Sequence, residues 1–186
     1  MSVSNNNNPN DFPLYLFYQG KNCEAYSFFG VHSVKKGRSR VFIFRVWAPN
    51  AVSVSVVGDF NNWNRKKNPM AMIANGIWET EIHGLKQYDA YKFCIEAKDG
   101  RILMKADPYA AHYETRPGTA SKIYESSYTW SDSQWFENKK NKGIYKSPVN
   151  IYEVHLGSWK NYGEECFLDY ATFAKEMIPS LKKMSY

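Results

Sequence analysis

In the run Gly58-Asp59-Phe60-Asn61-Asn62-Trp63-Asn64 a single indole sits among carboxamides and a carboxylate. Asn, Asp and Gly favour turns, because their side chains bond nearby backbone or accept left-handed φ angles. Trp63 is therefore poorly placed to be a core residue. An indole face can stack on the apolar C–H face of a sugar ring while neighbouring amides, Asn62 among them, exchange hydrogen bonds with hydroxyls. Such a mixture of aromatic surface and placed polar groups is the make-up of a ligand site. The same indole can also fold back onto the sheet that carries it, and the residues alone leave both readings open.

Other chemistry-bearing residues point nowhere as definite. His32, His83, His112 and His155 show neither metal-ligand spacing nor a nucleophile in a recognisable motif, so no metal and no cofactor is expected. His155 lies in an apolar run and reads as a core histidine. No glycine-rich phosphate loop occurs. The net charge of +6 and pI near 9.1 come from Lys and Arg residues that are spread rather than clustered. That pattern is a solvated surface and not a nucleic-acid interface. The three cysteines, Cys23, Cys94 and Cys166, are an odd number at wide spacing, which argues for a reducing compartment, the cytoplasm. The N-terminus lacks the basic and apolar regions of a secretory signal, and no apolar run approaches the ~18 residues of a membrane span.

The elements that must position Trp63 are strands. Val41-Phe42-Ile43-Phe44-Arg45-Val46-Trp47 puts Phe42, Phe44 and Val46 on one face, and Val52-Ser53-Val54-Ser55-Val56 alternates valine with serine. Ala48-Pro49-Asn50-Ala51 joins them. Asn75-Gly76 and Asp99-Gly100 are hairpin signals between further apolar runs, because both dipeptides accept the positive φ of tight turns. Short strands with turns every ten residues or so predict a mainly β chain, an antiparallel sandwich of immunoglobulin-like type over residues 40–125. Ahead of it, residues 1–10 are Asn-rich and predicted disordered, and residues 11–39 hold two aromatic clusters. Behind it, residues 126–149 read as a loop-rich connector with Trp130 and Trp135 as docking residues. Residues 150–186 then give one strand, Ile151 to Leu156, and one helix. In that helix Tyr170, Phe173, Ala174, Met177, Ile178, Leu181 and Met184 form a stripe, Asp169 is the N-cap, and Pro179 predicts a kink.

Five motifs give these elements a family context. Val46 to Ala51, Gly58 to Trp63, Lys105-Ala106-Asp107-Pro108-Tyr109-Ala110, Arg116-Pro117-Gly118-Thr119-Ala120-Ser121 and Ile151-Tyr152-Glu153-Val154-His155-Leu156-Gly157-Ser158-Trp159 occur in this order. From about Leu14 to Tyr186 the chain resembles the N-terminal part of bacterial glycogen (1,4-α-glucan) branching enzymes. The resemblance implies a glycogen-binding sandwich followed by a truncated start, one strand and one helix, of a (β/α)8 barrel, which needs ~250 residues to close. Related modules grip glucan with two tryptophans and a lysine. By motif position Trp63 matches the first tryptophan and Lys92 the lysine, while Arg101-Ile102 stands where the second tryptophan is expected.

Branching is a retaining transfer, in which one carboxylate attacks the anomeric carbon, a second carboxylic acid protonates the leaving oxygen, and a glucan 6-hydroxyl replaces water as acceptor. The resemblance puts both carboxylates on later barrel strands. Asp107 and Glu153 lie in motifs that serve neither role, so no residue is assigned to catalysis. The chain reads as an inactive fragment of a branching enzyme, with α-glucan as ligand and a missing barrel or self-association through residues 150–186 as further partners. The alternative is a glucan-binding module that works alone or as a subunit. Nucleic acid and membranes are not expected partners.

Overall fold

Alternating apolar residues make strands only when each face finds a covering layer, and the two faces of this chain are covered by pairing nine strands into two sheets. The computed structural model describes residues 11–141, 143, 148–160, 162–163 and 167–185. The tail at 1–10 lies outside the described residues. The described chain divides into two units, Met1–Ser127 and Tyr128–Tyr186.

In the first unit the strands are β1 (Gly30–Lys36), β2 (Ser39–Trp47), β3 (Ala51–Gly58), β4 (Ala71–Ala74), β5 (Ile77–His83), β6 (Ala90–Ala97), β7 (Ile102–Lys105), β8 (His112–Tyr113) and β9 (Ser121–Lys122). One sheet has the order β1-β2-β5-β4 and the other β3-β6-β9-β8, with β7 also on β6; every pairing is antiparallel. The predicted turn at Ala48–Ala51 thus joins strands of different sheets. Phe42, Phe44 and Val46 of β2 and Trp78 and Ile82 of β5 meet Val54 and Val56 of β3 and Tyr91 and Phe93 of β6 in one buried cluster. Two sheets closed on a shared apolar layer form the expected sandwich. Both predicted hairpins are present, with the positive φ carried by the glycine alone: +77° at Gly76 and +79° at Gly100.

The sandwich starts earlier than expected from the sequence. β1 pairs along its whole length with β2, from Gly30 opposite Arg45 to Lys36 opposite Ser39, so the first sheet begins at Gly30 rather than Arg40. The aromatic residues before it form a helix, α1 (Asp11–Tyr18), whose Pro13 sits in the first turn, where a missing N–H costs nothing. Leu14 and Phe17 of α1 pack on Phe28, Phe29 and Ile77.

In the second unit the residues predicted as a loop-rich connector include a helix, α2 (Ser133–Asn141), in which Trp135 packs edge-on against Phe136 and under Lys139. Trp130 and Trp135 are both exposed. The strand predicted from Ile151 to Leu156 is not formed. Residues 151–155 belong to no helix or strand, and α3 (Leu156–Trp159) is a single helical turn. A strand is completed by the ladder of a neighbour, and among the described residues none pairs with Ile151, which is 82% exposed. Of the strand and helix expected at this end, the structure has the helix and not the strand. His155, expected in a core, is exposed, caps α3 and pairs its Nδ1 with Ser158 Oγ at 3.0 Å. The final helix, α4 (Tyr170–Lys183), is present as predicted: Asp169 accepts a hydrogen bond from Thr172 N at 2.7 Å, and the helix includes Pro179. Only Phe173 of its stripe is buried, against Trp159.

Candidate glucan-binding face

The Trp63 loop begins where β3 ends. Gly58 is extended, and a side chain there would meet Ala90 O at 2.3 Å and the Phe60 ring at 2.5 Å, so the close approach of β3 to β6 requires glycine. A short 3₁₀ turn, Asp59–Asn61, follows. Asn61 is buried and fastens the turn from inside: its Nδ2 donates to Val56 O at 2.9 Å and to Asn68 Oδ1 at 2.7 Å, and its Oδ1 accepts from Gly58 N at 3.1 Å. Asp59 fastens it from outside, accepting from Trp63 Nε1 at 3.0 Å and from Ala90 N at 3.3 Å.

These ties hold the tip in an unusual shape. Asn62 and Trp63 both have φ of +56°, and Trp63 N donates to Gly58 O at 3.0 Å. Asparagine tolerates this left-handed region, but for a bulky residue it is an outlier, costing about 1–3 kcal/mol. The indole N–H is engaged by Asp59, and the side chain remains 39% exposed. Trp63 is thus neither core nor free, and its orientation is set while part of its surface meets solvent. Asn62 is exposed beside it.

Lys92 belongs to the adjoining strand. The register places it opposite Val57, one residue before the loop, on the outer face of the second sheet, since its neighbours Tyr91 and Phe93 point into the core. Its Nζ donates to Thr119 Oγ1 at 2.6 Å. The same outer face carries Ile102, opposite Glu96, and Met104, opposite Cys94. Four residues separate Lys92 from Glu96, about 13 Å along the strand. The loop that holds Trp63 and the strand that holds Lys92 are therefore adjacent through the backbone, and Ile102 marks the far end of the same face.

Behind this face Asp107 is fully buried. It accepts from Tyr91 Oη at 2.7 Å and from Tyr109 N at 2.8 Å, and its own N–H donates to Ser121 Oγ at 2.8 Å. Burial raises its pKa above the ordinary carboxylate value, opposed by the hydrogen bonds from Tyr109 and Tyr91 and by the nearby His32. Burial and the Asp107 charge likewise raise that of Tyr91. Asp107 ties the 105–110 motif to the 116–121 motif and faces no open site.

Residues 28–110 match the family model of carbohydrate-binding module 48, the isoamylase N-terminal domain. Over 175 residues, 93% of this chain, the sequence is 42% identical to the 1,4-alpha-glucan branching enzyme GlgB of Oceanobacillus iheyensis, and over 177 residues, 92% of this chain, it is 44% identical to that of Butyrivibrio fibrisolvens. The chain belongs with the N-terminal part of the 1,4-alpha-glucan branching enzymes. It spans 28% of the length of each of these two relatives. The pullulanase type I of Bacillus subtilis aligns at a TM-score of 0.45 and 22% identity over 55% of this chain and 14% of that one, too distant a likeness to argue from.

Within a module of this family, two residues that fix the site were not singled out from the sequence. Asn61 and Asp59 shape the loop. The density of Asn and Asp around Trp63 was the available signal, but it was read as hydrogen-bonding capacity for a ligand, whereas Asn61 turns inward and Asn64 Oδ1 accepts from Lys66 N. Among the described residues no group of His, Cys, Asp or Glu is placed to hold a metal.

Proposed function

We propose that the outer face of the second sheet, ending in the Trp63 loop, binds α-glucan, with Trp63 as the stacking platform, Asn62 as a hydrogen-bonding neighbour and Lys92 as a donor to glucan hydroxyls. The observation that carries the reading is the left-handed, half-exposed Trp63, fastened at its indole N–H by Asp59. A backbone outlier maintained by surrounding bonds accords with a binding role. Arg101-Ile102 in the place of a second tryptophan leaves one platform, so affinity is expected in the high-micromolar to millimolar range, on the order of −4 to −6 kcal/mol. Retardation in glycogen-containing gels tests this: the parent is slowed, and Trp63→Ala runs as it does without glycogen. If both are slowed equally, the platform is elsewhere.

The residues present supply binding and not transfer in this reading. Retaining transfer needs two carboxyl groups ~5 Å apart facing one cleft, whereas Asp107 is buried and engaged with Tyr91 and Tyr109. Branching would then be the task of the larger part of the relatives' length. New α-1,6 linkages made from amylose by this chain alone would refute the assignment. Self-association through residues 150–186 is supported by exposed Ile151, Phe167 and Tyr170. Exposed Cys23 and buried Cys94 are free thiols, which fits a reducing cytoplasm.

A further inference from the structure

The two sheets leave one open side, where β1 is the edge of the first and β8 the edge of the second. A cleft of about 430 Å³ lies there, lined on one side by Val31, His32 and Ser33 and on the other by residues 109–111 and 122–125. Its floor is the core itself, Phe42 and Tyr91. Three tyrosines form its rim: Tyr26 from the 3₁₀ turn before β1, Tyr109, and Tyr124 just after β9.

The rim differs from ordinary core edges. Tyr26 is 63% exposed and Tyr109 and Tyr124 are more than a third exposed, and among the described residues none of their hydroxyls makes a hydrogen bond. Two of the three rings are nonetheless held. Tyr109 stacks on Phe29 at 5.4 Å and 20°, and Tyr124 packs against His112 at 5.3 Å and Tyr88 at 5.9 Å. Held aromatic faces with unused hydroxyls suit a ligand having apolar faces and hydroxyl edges. Charge is sparse, since Glu125 is paired with Arg40 at 2.6 Å and Lys122 is the one other Lys, Arg, Asp or Glu of the lining. The volume falls at the lower end of the ~300–1,000 Å³ of small-molecule sites, enough for a short oligosaccharide or chain end.

We propose that this cleft is a second saccharide site, separate from the Trp63 loop, that takes the end of a short neutral α-glucan. The choice of α-glucan rests on the function proposed above, whereas the cleft and its tyrosines do not.

Backbone amide NMR of the full chain titrated with maltotriose tests it. The amides of Ala110, Ala111, Lys122 and Tyr124 shift on one saturation curve and those of Asn62 and Trp63 on another. Tyr26→Ala or Tyr124→Ala weakens the first curve by roughly fivefold and leaves the second unchanged; Trp63→Ala does the reverse. Tyr26 is 63% exposed and lies outside the buried clusters, so its removal keeps the test valid if Tyr124→Ala proves poorly folded. Shifts confined to the Trp63 loop overturn the cleft and leave the proposed function standing. Shifts confined to the cleft support it and overturn Trp63 as platform, and no shift at either site up to tens of millimolar maltotriose overturns both.

Discussion

The sandwich unit and the C-terminal unit are built from equally aromatic sequence, yet nearly all the burial falls in the first. Among the described residues, every buried apolar residue lies at or before Ile123 except Phe173. In the sandwich β2, β3, β5 and β6 each supply both a face to the core and a ladder edge to a neighbour, so Phe44 and Val56 are buried and paired at once. In residues 128–185 the helices carry their apolar residues outward: Tyr170 is 83% exposed, and Trp130 and Trp135 lie open. Apolar content thus makes a core only where topology gives it a second layer.

The largest test of that contrast is to cut one buried ring from each unit. Phe44→Ala is expected to destabilise the sandwich by about 3–5 kcal/mol, visible as loss of the cooperative melt or a fall of more than 10 °C, whereas Phe173→Ala leaves the sandwich melt in place. A matching fall for Phe173→Ala would mean that the two units unfold as one. Hydrogen exchange sharpens the same point: the amides of β2, β3, β5 and β6 should exchange through global opening, and those of residues 151–155 at near-unprotected rates.

Smaller effects probe the devices that hold each unit. Asn61→Ala leaves Gly58 N and Val56 O without their buried partner and is expected to cost about 1–3 kcal/mol, with loss of glycogen retardation even though Trp63 remains. Asp169→Ala removes the α4 cap, worth about 0.5–2 kcal/mol; helical circular dichroism should fall while the sandwich melt is unchanged. Asp107 gives the smallest and most specific signal. Its folded pKa is raised, so the folded state holds the proton more readily than the unfolded chain. Its contribution is therefore fully present below the ordinary carboxylate value of 3.8 and declines as pH rises through the folded value. Relative to Asp107→Asn, the parent should lose melting temperature as pH rises above the ordinary carboxylate value of 3.8, and parallel profiles would contradict this.

Legibility followed locality. The Asn75-Gly76 and Asp99-Gly100 turns, the alternation in Val52 to Val56 and the Asp169 cap are written within a few residues, and all were readable. β1 was not, because Val31-His32-Ser33-Val34 is weakly apolar and becomes a strand by pairing with β2. The run from Ile151 to Leu156 misled for the opposite reason: it has strand composition, but composition does not supply a ladder. At the candidate site, the partial exposure of Trp63 was legible from its polar surroundings. The inward turn of Asn61 was not, since it depends on Asn68 and on the close approach of β3 to β6.

The left-handed pair at Asn62 and Trp63 also separates two properties that loops usually mix. Gly58, Asp59 and Asn61 determine the path of the chain through bonds that, apart from the one to the indole N–H, ignore the tip side chain. The residue at position 63 is thus an exchangeable head on a fixed stem. An unbranched aromatic such as tyrosine or phenylalanine can be mounted there with the backbone retained, at the loss of one bond to Asp59. Valine or isoleucine cannot, because branching at Cβ clashes in this φ region. The ring presented at this end of the sheet can therefore vary among flat aromatics without any change in the fold that presents it.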